Sequence, residues 1–370
     1  MKEIALFEDV FGLFGGIEKV ILNIIVHADS KEFHFSLVVN HMASDEYLPV
    51  LKQYNVTIYE LEDTWIHNPI KRHLKGYRSF RKFLKNHKFD ILHFNISNSI
   101  DLKYVAIAKK EGIQKRIVHC HNDDATSSFK RFVHYFLKPF YVGYGTFDIA
   151  CSDSAGRWEY SKKILASDHY QMIQNGIDTA KFNFSSENRT FLRKEFTQDD
   201  NTLLVMHVGR FNTQKNQDKV LSVFSCYHQK NPNSKLVFFG SGVEQPFLDK
   251  IESLGLTESV IIHQPTTQIA DYYNAFDVFL FPSLYEGFGL VLVEAQTNGL
   301  PCLISDVIPK EPVFSPLVKR LSLSASDQEW ADAMKDIKPV LHPAMGLLAK
   351  EKGYDEINQA EAVYSIYRKD

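Results

Sequence analysis

Short apolar runs rich in β-branched and aromatic residues recur along the whole chain. In the first half they are Ile4–Phe7, Phe35–Val39, Val56–Leu61, Ile91–Phe94, Ile117–His119, Phe147–Cys151 and Tyr170–Ile173. In the second they are Leu203–Val208, Leu236–Phe239, Val260–His263, Val278–Phe281, Cys302–Ile304 and Arg320–Leu323. Stretches of helical spacing separate them. Glu18–His27 carries Val20, Ile21, Ile24 and Ile25 on one face, and Tyr354–Tyr367 does the same with Ile357, Ala360, Val363, Tyr364 and Tyr367. Strands alternating with helices predict βαβ units and parallel sheets covered on both faces. Two such series predict an α/β chain of two Rossmann-like β/α/β lobes facing a central cleft. The join falls at the Asn-Gly turn in Gln174–Asp178 and the polar stretch Ser185–Asp200 that follows it. The lobes are then 1–174, completed by a C-terminal helix at about 355–370, and 175–354.

Composition narrows what such a chain does. At 370 residues it accommodates two domains, and 44% apolar with 24% charged residues excludes bulk disorder or a fibrous repeat. A net charge of −3 excludes a globally basic nucleic-acid binder. No apolar run approaches the ~20 residues needed to cross a bilayer, and the opening MKEIALFEDVF reads as a strand rather than a signal peptide. Cys120, Cys151, Cys226 and Cys302 are far apart with no CxxC pair, which argues against a disulfide framework or structural zinc and fits a reducing cytoplasm. The charge is uneven, however. Residues 1–165 hold 23 Lys+Arg against 19 Asp+Glu, a net of +4, and the rest hold 19 against 26, a net of −7.

In open α/β sheets ligands sit at the carboxyl ends of strands, so candidate chemistry is sought there. After the strand ending at Phe281, a loop carries Glu286, and Gly287 and Gly289 open a helix that contains Glu294. The glycines allow close backbone approach, and a helix N-terminus offers free N–H groups to a phosphate or a sugar hydroxyl. Glu294 is placed to accept from a vicinal diol such as ribose. The plainer alternative is a glycine-rich turn with two solvated glutamates. Arg210 and Lys215 follow the first strand of the second lobe, where they would grip a diphosphate, unless they are ordinary surface cations. Gly240-Ser241-Gly242 ends the next strand as a second close-approach turn. In the first lobe, Gly12-Leu-Phe-Gly-Gly16 is not GxGxxG, so the nicotinamide fingerprint is missing. Gly15 and Gly16 directly before a helix still form an anion cradle. His119 and His121 sit two apart with no third ligand at an evident spacing, which favours a polar cleft wall over a zinc site.

Together these residues resemble the retaining glycosyltransferases of family 4 (glycosyl transferases group 1), in particular the bacterial exopolysaccharide and capsule type. The resemblance spans nearly the whole chain. It rests on the Gly-Gly-Ile-Glu opening loop, the His119/His121 strand end, Cys-Ser-Asp-Ser-Ala at 151–155, Asn-Gly-Ile-Asp at 175–178, Gly-Arg…Lys-Asn at 209–216 and E-x7-E at Glu286 and Glu294. Glu-Ala-Gln-Thr-Asn-Gly-Leu-Pro-Cys at 294–302 and Ser-Asp-Val-Ile-Pro-Lys-Glu at 305–311 add the capsule-type flavour. It implies the GT-B fold, a nucleotide-diphospho-sugar donor, UDP-linked, held mainly on the second lobe, and no cofactor or divalent metal. Arg210 and Lys215 would hold the diphosphate, Glu294 the ribose, and Glu286 with the Phe288, Gly289 and Leu290 amides the donor sugar. Gly15 and Gly16 would close on the phosphates, and His119 or His121 would lie near the reacting centre.

On the acceptor side the resemblance implies a glycan or polyprenyl-linked substrate. Residues 71–88 hold eight Lys and Arg and no acid, interleaved with Tyr77, Phe80, Phe83 and Leu84. Residues 129–144 set Lys130, Arg131 and Lys138 among aromatics. Basic amphipathic helices dock on anionic membranes, so a cytoplasmic enzyme peripheral on the inner face of the plasma membrane is expected. Competing readings are a non-catalytic glycosyltransferase-like partner subunit and a GT-B nucleotide-sugar epimerase or phosphorylase. The four retained side chains Arg210, Lys215, Glu286 and Glu294 speak against a dead subunit.

Overall fold

The computed structural model describes residues 1–12, 15–62, 66, 68–125, 127–337 and 345–369. Two compact units divide the chain, Met1–Gly176 with Glu356–Asp370, and Ile177–Asp355. The first begins with β1 (Lys2–Phe11), α1 (Gly16–Val26), β2 (Phe33–Met42), α2 (Leu48–Gln53), β3 (Thr57–Glu60), α3 (Pro69–Asn86) and β4 (Ile91–Ile96). It continues through α4 (Leu102–Lys110), β5 (Lys115–Cys120), α5 (Ser128–Tyr141), β6 (Phe147–Ala150), α6 (Asp153–Glu159), α7 (Lys162–Leu165) and β7 (Tyr170–Met172). The second holds α8 (Ser186–Phe196), β8 (Leu203–Val208), α9 (Gln217–Lys230), β9 (Ser234–Phe239), α10 (Gln245–Ser253), β10 (Val260–His263), α11 (Ile269–Tyr272) and β11 (Val278–Phe281). After α12 (Leu290–Thr297), β12 (Cys302–Ser305), β13 (Val318–Leu321), α13 (Asp327–Lys335) and α14 (Gly346–Glu351), the chain returns to the first unit as α15 (Glu356–Arg368).

Each unit is a parallel, doubly wound sheet. The strand orders are β3-β2-β1-β4-β5-β6-β7 and β10-β9-β8-β11-β12-β13. Both reverse direction beside their first strand, at β1/β4 and at β8/β11, and these switch points are where such sheets open a crevice at the carboxyl edge.

Burial on both faces explains why the strands read as unbroken apolar runs. In β1, Ile4 and Leu6 join a core with Ile21 and Ile25 of α1 and Val363, Tyr364 and Tyr367 of α15. Phe7, one residue on, faces the other layer, where its ring lies 5.0 Å from Phe80 of α3 and 4.5 Å from Tyr104 of α4. In the second unit Val205, Phe238, Val278, Leu280 and Leu303 pack against Val220 and Phe224 of α9 and Trp330 and Met334 of α13.

One segment differs from its sequence reading. The polar stretch Ser185–Asp200 is largely helix α8, with Leu192, Arg193 and Phe196 buried in the second unit. Its polarity is structural. The Arg193 guanidinium donates to the Ala275 and Thr202 carbonyls and sits 3.0 Å from Asp277, which Arg189 also grips. A buried cation satisfied this fully has the composition of a linker and the role of a core residue.

Candidate active site

The second sheet concentrates the predicted residues beside its switch point. β11 stops at Phe281, a loop follows, and Gly289 caps α12 with φ +86°, a left-handed value that glycine adopts without a Cβ penalty. The first amides of α12 have no partner within the helix, and the dipole makes that end electropositive. The loop is stitched to the one after β8. Leu284 N–H donates to the Gln214 carbonyl at 2.9 Å, Gln214 Nε2 donates to the Tyr285 carbonyl at 3.2 Å, and Asn216 Nδ2 donates to the Pro282 carbonyl at 3.0 Å.

Across this seam Lys215 Nζ meets Glu286 Oε1 at 2.7 Å, with both side chains largely buried, and lies 4.8 Å from the Phe281 ring centroid. Lys215 is therefore not the free point charge its loop position predicts. A neighbouring carboxylate holds it in place, and it reaches that carboxylate only because Gly209 has no side chain: a Cβ there would stand 2.9 Å from Lys215 Cγ. Gly240 is tighter still, since a Cβ would meet the Gly209 carbonyl oxygen at 2.1 Å. The loops after β8 and β9 thus touch backbone to backbone. Arg210, exposed on the same loop, has no hydrogen-bond or ion-pair partner for its guanidinium among the described residues.

Glu294 lies one turn into α12, buried, and its Oε2 accepts from the Tyr273 hydroxyl at 3.0 Å. Burial, reinforced by the Glu294 charge, raises the Tyr273 hydroxyl well above the usual phenol range, so it stays a donor. Behind Lys215, the buried His207 donates from Nδ1 to the Leu280 carbonyl at 2.9 Å, and burial pushes its pKa down to about 4. It is neutral at pH 7.

In the first unit Gly15 is the N-cap of α1 and Gly16 its first residue. The Gly15 amide already donates to Glu18 Oε2 at 3.0 Å, so the anion cradle expected from the sequence holds the chain's own carboxylate. This one-way cap, the Glu18 half of a capping box, satisfies an amide that an incoming phosphate would otherwise claim. Leu13 and Phe14 of the same loop lie outside the described residues. His119 and His121 are adjacent, with ring centroids 4.1 Å apart, but differ in setting. His119 lies inside β5, fully enclosed between His93 and His121, so it forms no open wall. Burial, with the neighbouring imidazoles, lowers its pKa well below the ordinary value. His121 stands just past the strand end, where Nε2 donates to Asn95 Oδ1 at 3.0 Å. Burial pushes it down to about 3, and Nδ1 is left as a bare acceptor with no partner among the described residues.

The structure thus brings Arg210, Lys215, Glu286, Phe288, Gly289, Leu290 and Glu294 to the carboxyl edge of one sheet in the second unit. Gly15, Gly16, His119 and His121 lie after β1 and β5 of the first. Residues 14–181 match the family model described as Glycosyltransferase Family 4, and residues 188–342 match that described as Glycosyl transferases group 1. The chain belongs to the group 1 glycosyltransferases. As in other members, the fold is of the GT-B class, and the resemblance drawn from the motifs is borne out.

Its relatives include EpsF of Bacillus subtilis, a glycosyltransferase by name, 26% identical over 95% of this chain and 93% of that one. The capsular polysaccharide biosynthesis glycosyltransferase CapH of Staphylococcus aureus is 24% identical over 83% of each. Among solved structures, HepE of Anabaena in complex with UDP and glucose superposes with a TM-score of 0.77 over 99% of both chains at 17% identity. Sucrose-phosphate synthase from Thermosynechococcus elongatus reaches 0.80 over 100% of this chain and 98% of its own, at 16% identity.

Sequence reasoning for this glycosyltransferase missed Tyr273, Gln214 and His207, and gave Asn216, the last residue of the Gly-Arg…Lys-Asn motif, no role. Tyr273 precedes β11 in a stretch without a motif, and only the fold brings its hydroxyl to Glu294. Asn216 carried one usable signal: it adjoins Lys215, and asparagine tolerates the left-handed backbone (φ +56°) found there.

Proposed function

We infer that this glycosyltransferase moves a sugar, with retention of configuration, from a UDP-linked donor to a glycan or polyprenyl-linked acceptor during surface or exopolysaccharide synthesis. The observation that carries the reading is the seam of Lys215, Glu286 and Arg210 beside the capped start of α12, with Glu294 one turn deeper. The second unit is the donor lobe in this reading. Arg210 and Lys215 hold the diphosphate, Glu294 accepts from the ribose hydroxyls, and Glu286 with the Phe288–Leu290 amides positions the sugar. Breaking the sugar–phosphate bond leaves negative charge on the departing nucleotide, and these cations with the α12 amides are aimed where that charge develops. The reaction needs no protein nucleophile, and no step is routed through a metal.

Glu286 gains a second role from its partner. By pairing with Lys215 it keeps the ammonium ordered until phosphate oxygens compete for it, which lowers the ordering cost of binding. The first unit is the acceptor lobe, in which Gly15 and Gly16 serve a phosphate once it displaces the Glu18 carboxylate from the Gly15 amide. Of the two histidines, His121 at the strand end is the one assigned to the reacting centre, where its neutral Nδ1 accepts from a sugar hydroxyl. The enzyme is peripheral on the inner face of the plasma membrane, where lipid-linked acceptors reside. Support comes from relatives named for capsule synthesis and for transfer to a diphosphoundecaprenol-linked sugar in Escherichia coli, and from HepE bound to UDP and glucose.

A thermal-shift screen against UDP-, GDP-, ADP- and CMP-sugars tests the donor class, followed by transfer to lipid-linked acceptors and assignment of the new anomeric configuration by NMR. Stabilisation by UDP-sugars and an unchanged anomeric configuration are expected. Stabilisation by none of the four, or an inverted product, contradicts the reading.

A further inference from the structure

The two basic segments of the sequence are helices in one layer of the first unit, with α4 packed against both. α3 buries Tyr77, Phe80, Phe83 and Leu84 and turns its cations outwards as a single stripe, in which Lys71, Arg78, Lys82 and Lys85 recur at helical spacing. Lys75 and Arg81 of this stripe pair with Glu62 and Glu111, while the side chains of Lys71, Arg78 and Lys82 have no ion-pair partner among the described residues. The helix is ~27 Å long, and its sequence contains no acid.

α5 is built differently. Its one fully buried side chain is His134, stacked on the Trp158 ring at 3.8 Å and 9°. Phe129, Phe132, Phe136 and Phe140, spaced three, four and four residues apart, are 73%, 66%, 60% and 61% exposed, and Tyr135 beside them is exposed as well. That spacing aligns the four phenylalanines on one face of the helix, where leaving them in water is unfavourable. Lys130 flanks the stripe.

We propose that α5 is an interfacial helix whose phenylalanine stripe enters the headgroup–acyl boundary of an anionic bilayer, while the α3 stripe holds the same lipid surface by charge. The occupant follows from charge complementarity. A long cationic field of one sign in the same layer as an exposed aromatic face matches an extended plane of anionic headgroups over an acyl interior. This deepens the peripheral-membrane part of the proposed function and rests on it. It adds that binding has a hydrophobic component that salt does not remove.

The test uses the full-length protein, co-sedimented with phosphatidylcholine vesicles with and without phosphatidylglycerol, at low salt and at about 1 M salt, where charge is screened within about 3 Å. Each cation contributes about fivefold to partitioning, so K71Q/R78Q/K82Q loses about a hundredfold at low salt. F132S/F136S/F140S keeps low-salt binding to anionic vesicles but is released at high salt, where the wild type stays bound. All six positions are exposed or half-exposed, and unchanged melting and unchanged stabilisation by UDP check that the variants are folded. If the serine variant resists salt as the wild type does, insertion by α5 is overturned while peripheral binding stands. If the wild type shows no preference for anionic vesicles, both fail. A wild type that is dimeric by light scattering and ignores vesicles, with a monomeric serine variant, makes the face a protein interface and also overturns the proposal.

Discussion

At the scale of single residues, the proposed donor site combines two held carboxylates with one cation, Arg210, that is unpaired among the described residues. Lys215 and Glu286 are joined at 2.7 Å, and Glu294 is held by Tyr273 at 3.0 Å. Glu286→Gln keeps an acceptor for Lys215, so the variant is expected to melt close to the wild type while transfer falls about 100-fold or more. Steady-state rates beside a melting curve check this. Tyr273→Phe removes only the hydroxyl that positions Glu294. Its expected mark is a donor KM raised about three- to tenfold with kcat unchanged, whereas a merely structural role would lower the melting temperature without that split. The glutamates and cations were legible in the sequence because they sit in the loops and the first helical turn that follow a strand, with Arg210 and Glu286 each next to a glycine. Their pairing was not, since Lys215 and Glu286 lie 71 residues apart. The histidines were legible as a strand end, but their burial was not. Residue 119 looks like residue 121 until the register of β5 encloses one between its neighbours and leaves the other at the strand end.

At the scale of elements, the site depends on three loops brought to the same edge by the order of β9, β8 and β11. Gly289→Ala puts a side chain at a left-handed residue whose nearest neighbours, Glu286 Cγ and Phe281 Cε1, stand at an ordinary 3.8 Å from the added Cβ, so its cost is conformational, about 1–2 kcal/mol. A melting temperature lowered by a few degrees and a higher donor KM are expected. Gly240→Ala is harsher, because the clash is with backbone at 2.1 Å. The loops after β8 and β9 must separate, and UDP binding measured by calorimetry should be lost even where the protein remains folded. Strand periodicity located the thirteen strands of the described residues, most clearly the central ones, which are buried on both faces, and by their β-branched and aromatic content the half-exposed edge strands β3, β7 and β13. It did not identify α8, whose Arg193 is buried and Arg189 half-buried through ion pairs to Asp277, a feature invisible to apolar spacing.

At the scale of the whole molecule, the charge asymmetry and the chain's return are the informative features. α15 supplies Val363, Tyr364, Ile366 and Tyr367 to the core of the first unit. A chain ending at residue 355 exposes that core, and the first unit should lose its cooperative melt by circular dichroism.

The first unit also buries groups that titrate abnormally. Burial pushes His93 and His121 down to about 3 and His134 to about 4, and lowers His119 strongly. It raises Asp148 to about 7, Glu159 to about 8, and Asp101 as well. Below the ordinary histidine pKa of about 6.5 the unfolded chain takes up protons that the folded imidazoles refuse, so stability falls with falling pH, partly offset by the three acids. Above it the unfolded carboxyls are ionised while the folded ones still hold protons, so stability falls again as pH rises towards 8. The first unit should therefore be most stable near pH 6.5, and a melting series from pH 4.5 to 8.5 with a maximum elsewhere contradicts the burial of these groups. The same neutrality predicts no histidine limb near pH 6.5 in the rate profile.

The central claim is that Lys215 and Glu294 divide a nucleoside diphosphate between them, and isothermal titration of UDP and of uridine tests it most directly. The wild type should bind UDP. Lys215→Met should weaken UDP by about 10- to 100-fold, the range for a hydrogen bond to a charged group, and leave uridine unchanged, while Glu294→Gln should weaken both. No binding of UDP to the wild type, or equal affinities in all three proteins, contradicts the account.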